Sequence, residues 1–316
     1  MISLDRILKS HKKISPYINH TPLVTSDLLS HNRTVKLKLE SLQKTGSFKL
    51  RGATNKLLSL TNDEKQKGVI AVSTGNHGKG VAFASSKLGI KSTIYMSKMV
   101  PQYRKEAIEA LGANVEIYGS NSDEADMYAR EISNKNNIPF IHPFDDEDVI
   151  AGQGTVGIEM LNDFPEVDTV IIPTSGGGLI GGIALALKLQ KPDIKVIAVS
   201  MERGPSMYES LKHGKPVDVE ELETLADCLG GSIGLENKYT FDIAQKTIDD
   251  FILVSEEKIA EGIRLNFHEH RLVTEGAAAT SVIVAKDNLS KHLGKNIICL
   301  ICGGNIDTEL FSKLIL

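Results

Sequence analysis

Apolar runs rich in Val and Ile recur along the chain and alternate with longer stretches whose apolar positions follow the helical period. VKLKLE (35–40), GVIAVS (68–73), STIYMS (92–97), NVEIYG (114–119), TVIIPTS (169–175), KVIAVSM (195–201), FILVS (251–255) and NIICLICGG (296–304) read as strands. SFKLRGATNKLLSL (47–60) and HGKGVAFASSKLG (77–89) read as helices between them. Strand then helix, repeated, predicts an α/β fold with largely parallel sheets. The longest uncharged run, 169–187, approaches the length that spans a bilayer. Pro173, Thr174, Ser175 and three glycines interrupt it, so it reads as a buried strand, a tight loop and a helix start.

Composition narrows the classes. Of 316 residues, 41% are apolar and 24% charged, which excludes a disordered chain and allows one large domain or two ordinary ones. The 36 basic and 40 acidic residues nearly cancel, so nothing suggests a nucleic-acid groove or an acidic-lipid surface. Tryptophan is absent, which speaks against a base-stacking platform. Three cysteines make no disulfide framework, and the charged N-terminal stretch MISLDRILKSHKK has no signal-peptide core after it. The expected setting is the cytoplasm, with no membrane and no nucleic-acid partner.

Three motifs invite readings that their context weakens. Gly152–Gly157 fits G-x-G-x-x-G, but a dinucleotide fingerprint follows a strand, and PFDDEDVIA is none. Cys299 and Cys302 resemble a redox or zinc pair, yet an offset of three within a strand sends the side chains to opposite faces. The acidic run 145–148 is either a cation site or, more simply, a solvated helix start.

Two glycine clusters and one lysine carry more. Ser175-Gly176-Gly177-Gly178-Leu179 lies between the strand TVIIP and a helical pattern. Consecutive glycines let backbone N–H groups converge on one anion, and the helix start adds partial positive charge. The alternative is close helix–strand packing. No Lys-Ser/Thr follows, so a nucleoside triphosphate is not implied. Ser73-Thr74-Gly75-Asn76-His77-Gly78 follows GVIAV at another strand end; it suits a carboxylate held by backbone N–H groups and the Thr74 hydroxyl, or an ordinary capped helix start. In Thr45-Gly46-Ser47-Phe48-Lys49, Ser47 reads as an N-cap, placing Lys49 in the first helical turn. A cation there opposes the macrodipole, favouring a neutral, nucleophilic amine. An amine nucleophile with a phosphate loop suggests pyridoxal 5′-phosphate.

TGSFKLRGA (45–53), STGNHGKGVA (73–82), HPFDDEDVIAGQGT (142–155), PTSGGGLIGG (173–182) and CGGN (302–305) occur in order across nearly the whole chain. Together they resemble the fold-type II pyridoxal-phosphate enzymes, and more narrowly the serine/threonine dehydratases and serine racemases. The resemblance implies Lys49 as the Schiff-base lysine and Gly176, Gly177, Gly178 and Leu179 as the phosphate cup. It puts Asn76 at the ring's phenolic oxygen and Cys302 beside the pyridine nitrogen. Ser73, Thr74, Gly75 and His77 would face the substrate. Two open, twisted α/β domains are implied: 1–66 plus 146–316 holding the cofactor, and 67–145 closing over the substrate. A homodimer is implied as well.

The implied reaction is β-elimination of water from a β-hydroxy amino acid, threonine or serine, to a 2-oxo acid and ammonia, with Lys49 as general base. VSMERGPSMYES (199–210) and TLADCLGGSIGLENKYTF (224–241) look closer to the branch linked to hydroxyectoine use. A hydroxyectoine-derived or 3-hydroxyaspartate-type substrate is therefore the alternative, with an amino-acid racemase behind it. Related racemases hold a divalent cation with a Glu, a backbone carbonyl and an Asp; the aligned positions here are Ser200, Gly204 and Ser206, so both carboxylates are missing and no metal is expected.

Overall fold

The computed structural model describes residues 2–316 and contains two sheets. The larger has six strands in the order β1-β2-β9-β6-β7-β8: β1 Leu23–Thr25, β2 Thr34–Leu39, β6 Thr169–Pro173, β7 Lys195–Met201, β8 Asp250–Val254 and β9 Asn296–Ile301. All neighbours are parallel except β1 and β2. The smaller is parallel throughout: β3 Val69–Val72, β4 Ser92–Met96 and β5 Asn114–Ile117. Every strand foreseen from the sequence forms; the three-residue β1 is the addition, too short and too exposed to leave an apolar signature.

β6 is buried at every position and β9 at all but its first, as expected for strands covered on both faces. Helices Gly276–Lys286 and Gly178–Lys188 share their core. A second apolar cluster joins Val69, Ala71 and Ile94 of the small sheet to Leu50, Ala53 and Leu57 of the helix Lys49–Ser59. That helix also packs against Glu147–Asp163, so it touches both layers.

The G-x-G-x-x-G pattern lies inside the helix Glu147–Asp163. A Cβ on Gly152 would stand 2.8 Å from the Arg51 carbonyl, and one on Gly154 would stand 2.8 Å from the Gly182 carbonyl. These glycines make a seam between helices. The acidic run is a helix start: the Asp146 carboxylate accepts from the N–H groups of Asp148 and Val149. Cys299 is buried in the core within β9, and Cys302, also buried, lies just beyond its end. Among the described residues no group of three or more metal-ligating side chains forms, and no helix is long and apolar enough to cross a membrane.

Candidate active site

The carboxyl ends of β3, β6 and β9 open onto one cavity of about 520 Å³. Ligands of open α/β sheets bind at such strand ends. Lys49, the segment Ser73–His77, the loop Gly176–Leu179 and Cys302 all line it. Candidates spread over more than 250 positions of sequence thus meet in one place.

Lys49 is the first residue of its helix. The cap differs from expectation: Phe48 stands at the N-cap with no side-chain hydrogen bond. Ser47 instead pairs its backbone with Gly303, which leaves its hydroxyl buried and unpartnered. Lys49 Nζ donates to the Pro143 carbonyl at 2.9 Å. Burial pulls its pKa down from 10.5 to about 8, opposed by Cys228, Cys302 and Glu275. An amine so placed is within reach of its neutral form near physiological pH.

The segment 142–146 fixes that lysine and much else. His142 Nδ1 accepts from the N–H groups of Phe144 and Asp145, at 3.3 and 2.8 Å. Burial lowers the His142 pKa to about 4, so the ring is neutral. Pro143 anchors Lys49, and Phe144 packs where a Cβ on Gly176 or Gly178 would stand. Asp145 accepts from the N–H groups of Lys238, Tyr239 and Thr240, and Asp146 caps the following helix.

The glycine loop fits a phosphate. Gly177 is the N-cap of Gly178–Lys188 with φ +87°, a conformation that favours glycine. Among the described residues no protein acceptor takes the N–H groups of Gly176, Gly177, Gly178 or Leu179. The first N–H groups of a helix have no partner within it, and an anion satisfies them. The close contact with Phe144 shows that the glycines also serve packing.

After β3, the helix starts at Asn76 with Gly75 as N-cap, and Ser73 Oγ accepts from the Gly75 N–H rather than capping the helix. His77 differs from expectation. Its Nε2 bonds the Ile141 carbonyl at 2.8 Å, and burial lowers its pKa to about 3. The ring is spent on the protein; its backbone N–H is what remains for a ligand. Asn76 directs its amide at the Glu275 carboxylate, 2.9 and 3.0 Å away, and accepts from Asn305 at 2.6 Å.

Glu275 escaped the sequence reading, since a lone Glu before an Ala-rich helix looks like a solvated helix start. It is 2% exposed, and burial raises its pKa to about 7 against the hydrogen bonds from Asn76 and Asn305. A raised carboxyl contributes stability that is present below about pH 4.5 and lost as the pH climbs through about 7. Apoprotein should therefore lose about 2–3 kcal/mol over that window relative to Glu275→Gln. Thermal unfolding of both from pH 4.5 to 7.5 checks this, and parallel profiles would refute it. Lys49 titrates above the window and leaves it undisturbed.

Two residues past Lys49, Arg51 is fully buried between two carboxylates. Its guanidinium meets Glu40 through Nε and Nη2, both at 2.8 Å, and Glu159 through Nη1 and Nη2 at 2.7 and 2.8 Å. Lys38, also buried, donates to Glu159 at 2.7 Å. Two cations and two anions thus close a quartet under the helix that presents Lys49.

Residues 14–303 match the family model described as pyridoxal-phosphate dependent enzyme. The chain is 40% identical over its full length to the L-threonine ammonia-lyase of Thermotoga maritima, covering 78% of that protein. Maize serine racemase superposes with a TM-score of 0.93 at 29% identity, covering 98% of this chain and 96% of that one. Processed threonine deaminase isoform 2 from Solanum lycopersicum superposes at 0.92 with 35% identity, over 98% and 92% of the two chains.

Proposed function

This chain belongs to the pyridoxal-phosphate dependent enzyme family, and from that premise we propose how its own residues divide the work. It is a threonine/serine dehydratase, a carbon–nitrogen lyase that removes water from a β-hydroxy amino acid and yields a 2-oxo acid and ammonia. Bound in the cavity, the cofactor supplies the electron sink that makes the substrate's Cα proton acidic.

Lys49 holds the cofactor and, once freed, moves the Cα proton as general base; a pKa near 8 suits both tasks. This pairing of a depressed lysine with unspent N–H donors in one cavity is the observation that carries the reading. The cup Gly176–Leu179 takes the phosphate. Asn76 serves the phenolic oxygen by turning an amide N–H from Glu275. Cys302, whose thiol burial holds well above its ordinary pKa, stays neutral and takes the ring nitrogen. Ser73, Thr74, Gly75 and the backbone of His77 hold the substrate carboxylate. Residues 67–145 form the smaller domain, closing on the rest. We place the protein in the cytoplasm as a homodimer, which light scattering would check. Ammonia release from threonine, serine, 3-hydroxyaspartate and hydroxyectoine-derived amino acids tests the function, and release from none would refute it.

Gly177→Asp should weaken retention of the cofactor sharply, because its Cβ would stand 2.7 Å from Met207 Cε and 2.9 Å from Thr240 Cβ, so the loop must shift, and its charge is added at the loop assigned to the phosphate. The positive φ adds a fold cost of about 1–2 kcal/mol for any side chain. Gly177→Asn, tolerant of that backbone and uncharged, is the control. Cofactor absorbance after gel filtration should fall much further for Asp than for Asn; equal losses would remove the phosphate from this loop.

Thr74 lines the cavity and carries a hydroxyl, the group that a second proton transfer on the opposite face of Cα would need. Its methyl restricts χ1. Elimination should outpace inversion in the parent. Thr74→Ser should raise D-isomer formation relative to ammonia release, and Thr74→Ala should remove it while sparing much of the lyase activity. Chiral chromatography decides: D-product forming faster than oxo acid in the parent would overturn the lyase assignment.

A further inference from the structure

We propose that Arg104 and Asp227 are positioning residues for this reaction, forming a clasp across the pocket mouth that holds the small sheet's layer closed while the amino acid reacts. The proposal rests on the lyase reading above. Both residues line the cavity that holds Lys49, and Arg104 Nη2 meets Asp227 Oδ2 at 3.2 Å. Each is mounted on its own layer. Arg104 sits on the helix Gln102–Glu109, whose Ile108 is fully buried in the small sheet's core. Asp227 opens the 3-10 turn Asp227–Leu229, between Ala226 and Leu229 of the large core. Among the described residues, this is the only ion pair joining residues 67–140 to the remainder of the chain.

The other polar ties between the layers at the site differ in kind. Asn305 bonds Asn76, Lys79 donates to Asn305 at 3.0 Å, and Asn76 bonds Glu275. Asn76 and Glu275 are buried, so that side of the pocket stays fastened. The Arg104 and Asp227 side chains are 30% and 55% exposed, so their pairing exchanges readily with water. One side fixed and the other exchangeable is the arrangement of a hinge and a catch.

Loss of the catch lowers the fraction of protein closed on substrate, and apparent affinity falls by that fraction. Exposed ion pairs are weak. Arg104→Ala and Asp227→Asn should therefore raise KM about twofold to fivefold with kcat nearly unchanged. The parent's KM should rise with sodium chloride up to about 0.5 M, while the variants' should stay flat. The exchange Arg104→Asp with Asp227→Arg should restore KM and its salt dependence, a recovery that loss of structure at either position alone would not give. The clasp is overturned if the single variants match the parent, or if the exchanged protein unfolds at the parent's temperature yet stays as impaired as the singles. Should the exchanged protein not fold, Asp227→Asn decides: a raised, salt-insensitive KM supports the clasp and an unchanged KM refutes it. A parent that releases no ammonia from any β-hydroxy amino acid refutes the lyase reading and the clasp with it. A parent that does, with unchanged single variants, refutes the clasp alone.

Discussion

Lys49→Ala should lose the borohydride-trappable link to the cofactor and at least about a thousandfold in ammonia release, since a positioned general base alone contributes roughly 10²–10⁴. The fold should survive. Among the described residues the side chain's only hydrogen bond goes to the Pro143 carbonyl, and burial already disfavours its charged form. Removing it therefore costs one hydrogen bond and the amine's approach to the Phe48 ring, and relieves a desolvation penalty. An unchanged melting temperature beside lost turnover is the expected pair of results; normal turnover would sink the assignment. The pH dependence follows the same amine. Its depressed pKa means that the reactive neutral form is lost as pH falls through about 8, well below the 10.5 of a free lysine. Rates of cofactor attachment to apoprotein should rise with pH along a curve centred near 8, and a midpoint near 10 would contradict the burial argument.

Arg51→Met should destabilise the protein by about 3–5 kcal/mol, leaving Glu40 and Glu159 facing each other without their shared cation. For a chain of this size the melting temperature should drop by about 5–8 °C. Arg51→Lys should recover only part of that, because a point charge cannot make paired hydrogen bonds to two carboxylates at once. Thermal and denaturant unfolding of the three proteins tests this. An Arg51→Met protein as stable as the parent would show that the quartet's desolvation cost cancels its attraction.

β3, β6, β7 and β9 were legible because buried parallel strands are nearly continuous Val and Ile runs, a signal that survives without any alignment, whereas β2 and β5 were legible from shorter β-rich stretches despite partial exposure. The residues lining the cavity were legible for a related reason: Ser73 and Gly176 directly follow such runs, and strand ends are where ligands gather. What a side chain touches was less so. Ser47 looked like a cap, and the bridge to Gly303, more than 250 positions away, took it elsewhere. His77 looked available to substrate until the Ile141 carbonyl claimed its ring. Glu275 and Arg51 acquire their character from burial beside partners distant in sequence, which no local pattern encodes. The glycines of 152–157 matched a familiar spacing for a different cause, the close approach of two helices.

Residues 143–146 give four neighbours their positions, one residue to each task, and His142 holds their backbone in place. Substitution can alter these tasks singly: a changed Asp145 frees the backbone at 238–240 but leaves the Pro143 carbonyl where it was. A gain or loss of one residue has no such selectivity. It would shift the lysine's anchor, the floor under the glycine loop and the start of the helix Glu147–Asp163 together. The stretch behaves as a ruler whose length, more than its lettering, is what the surrounding structure reads, and lineages free to vary its residues would not be free to vary their number.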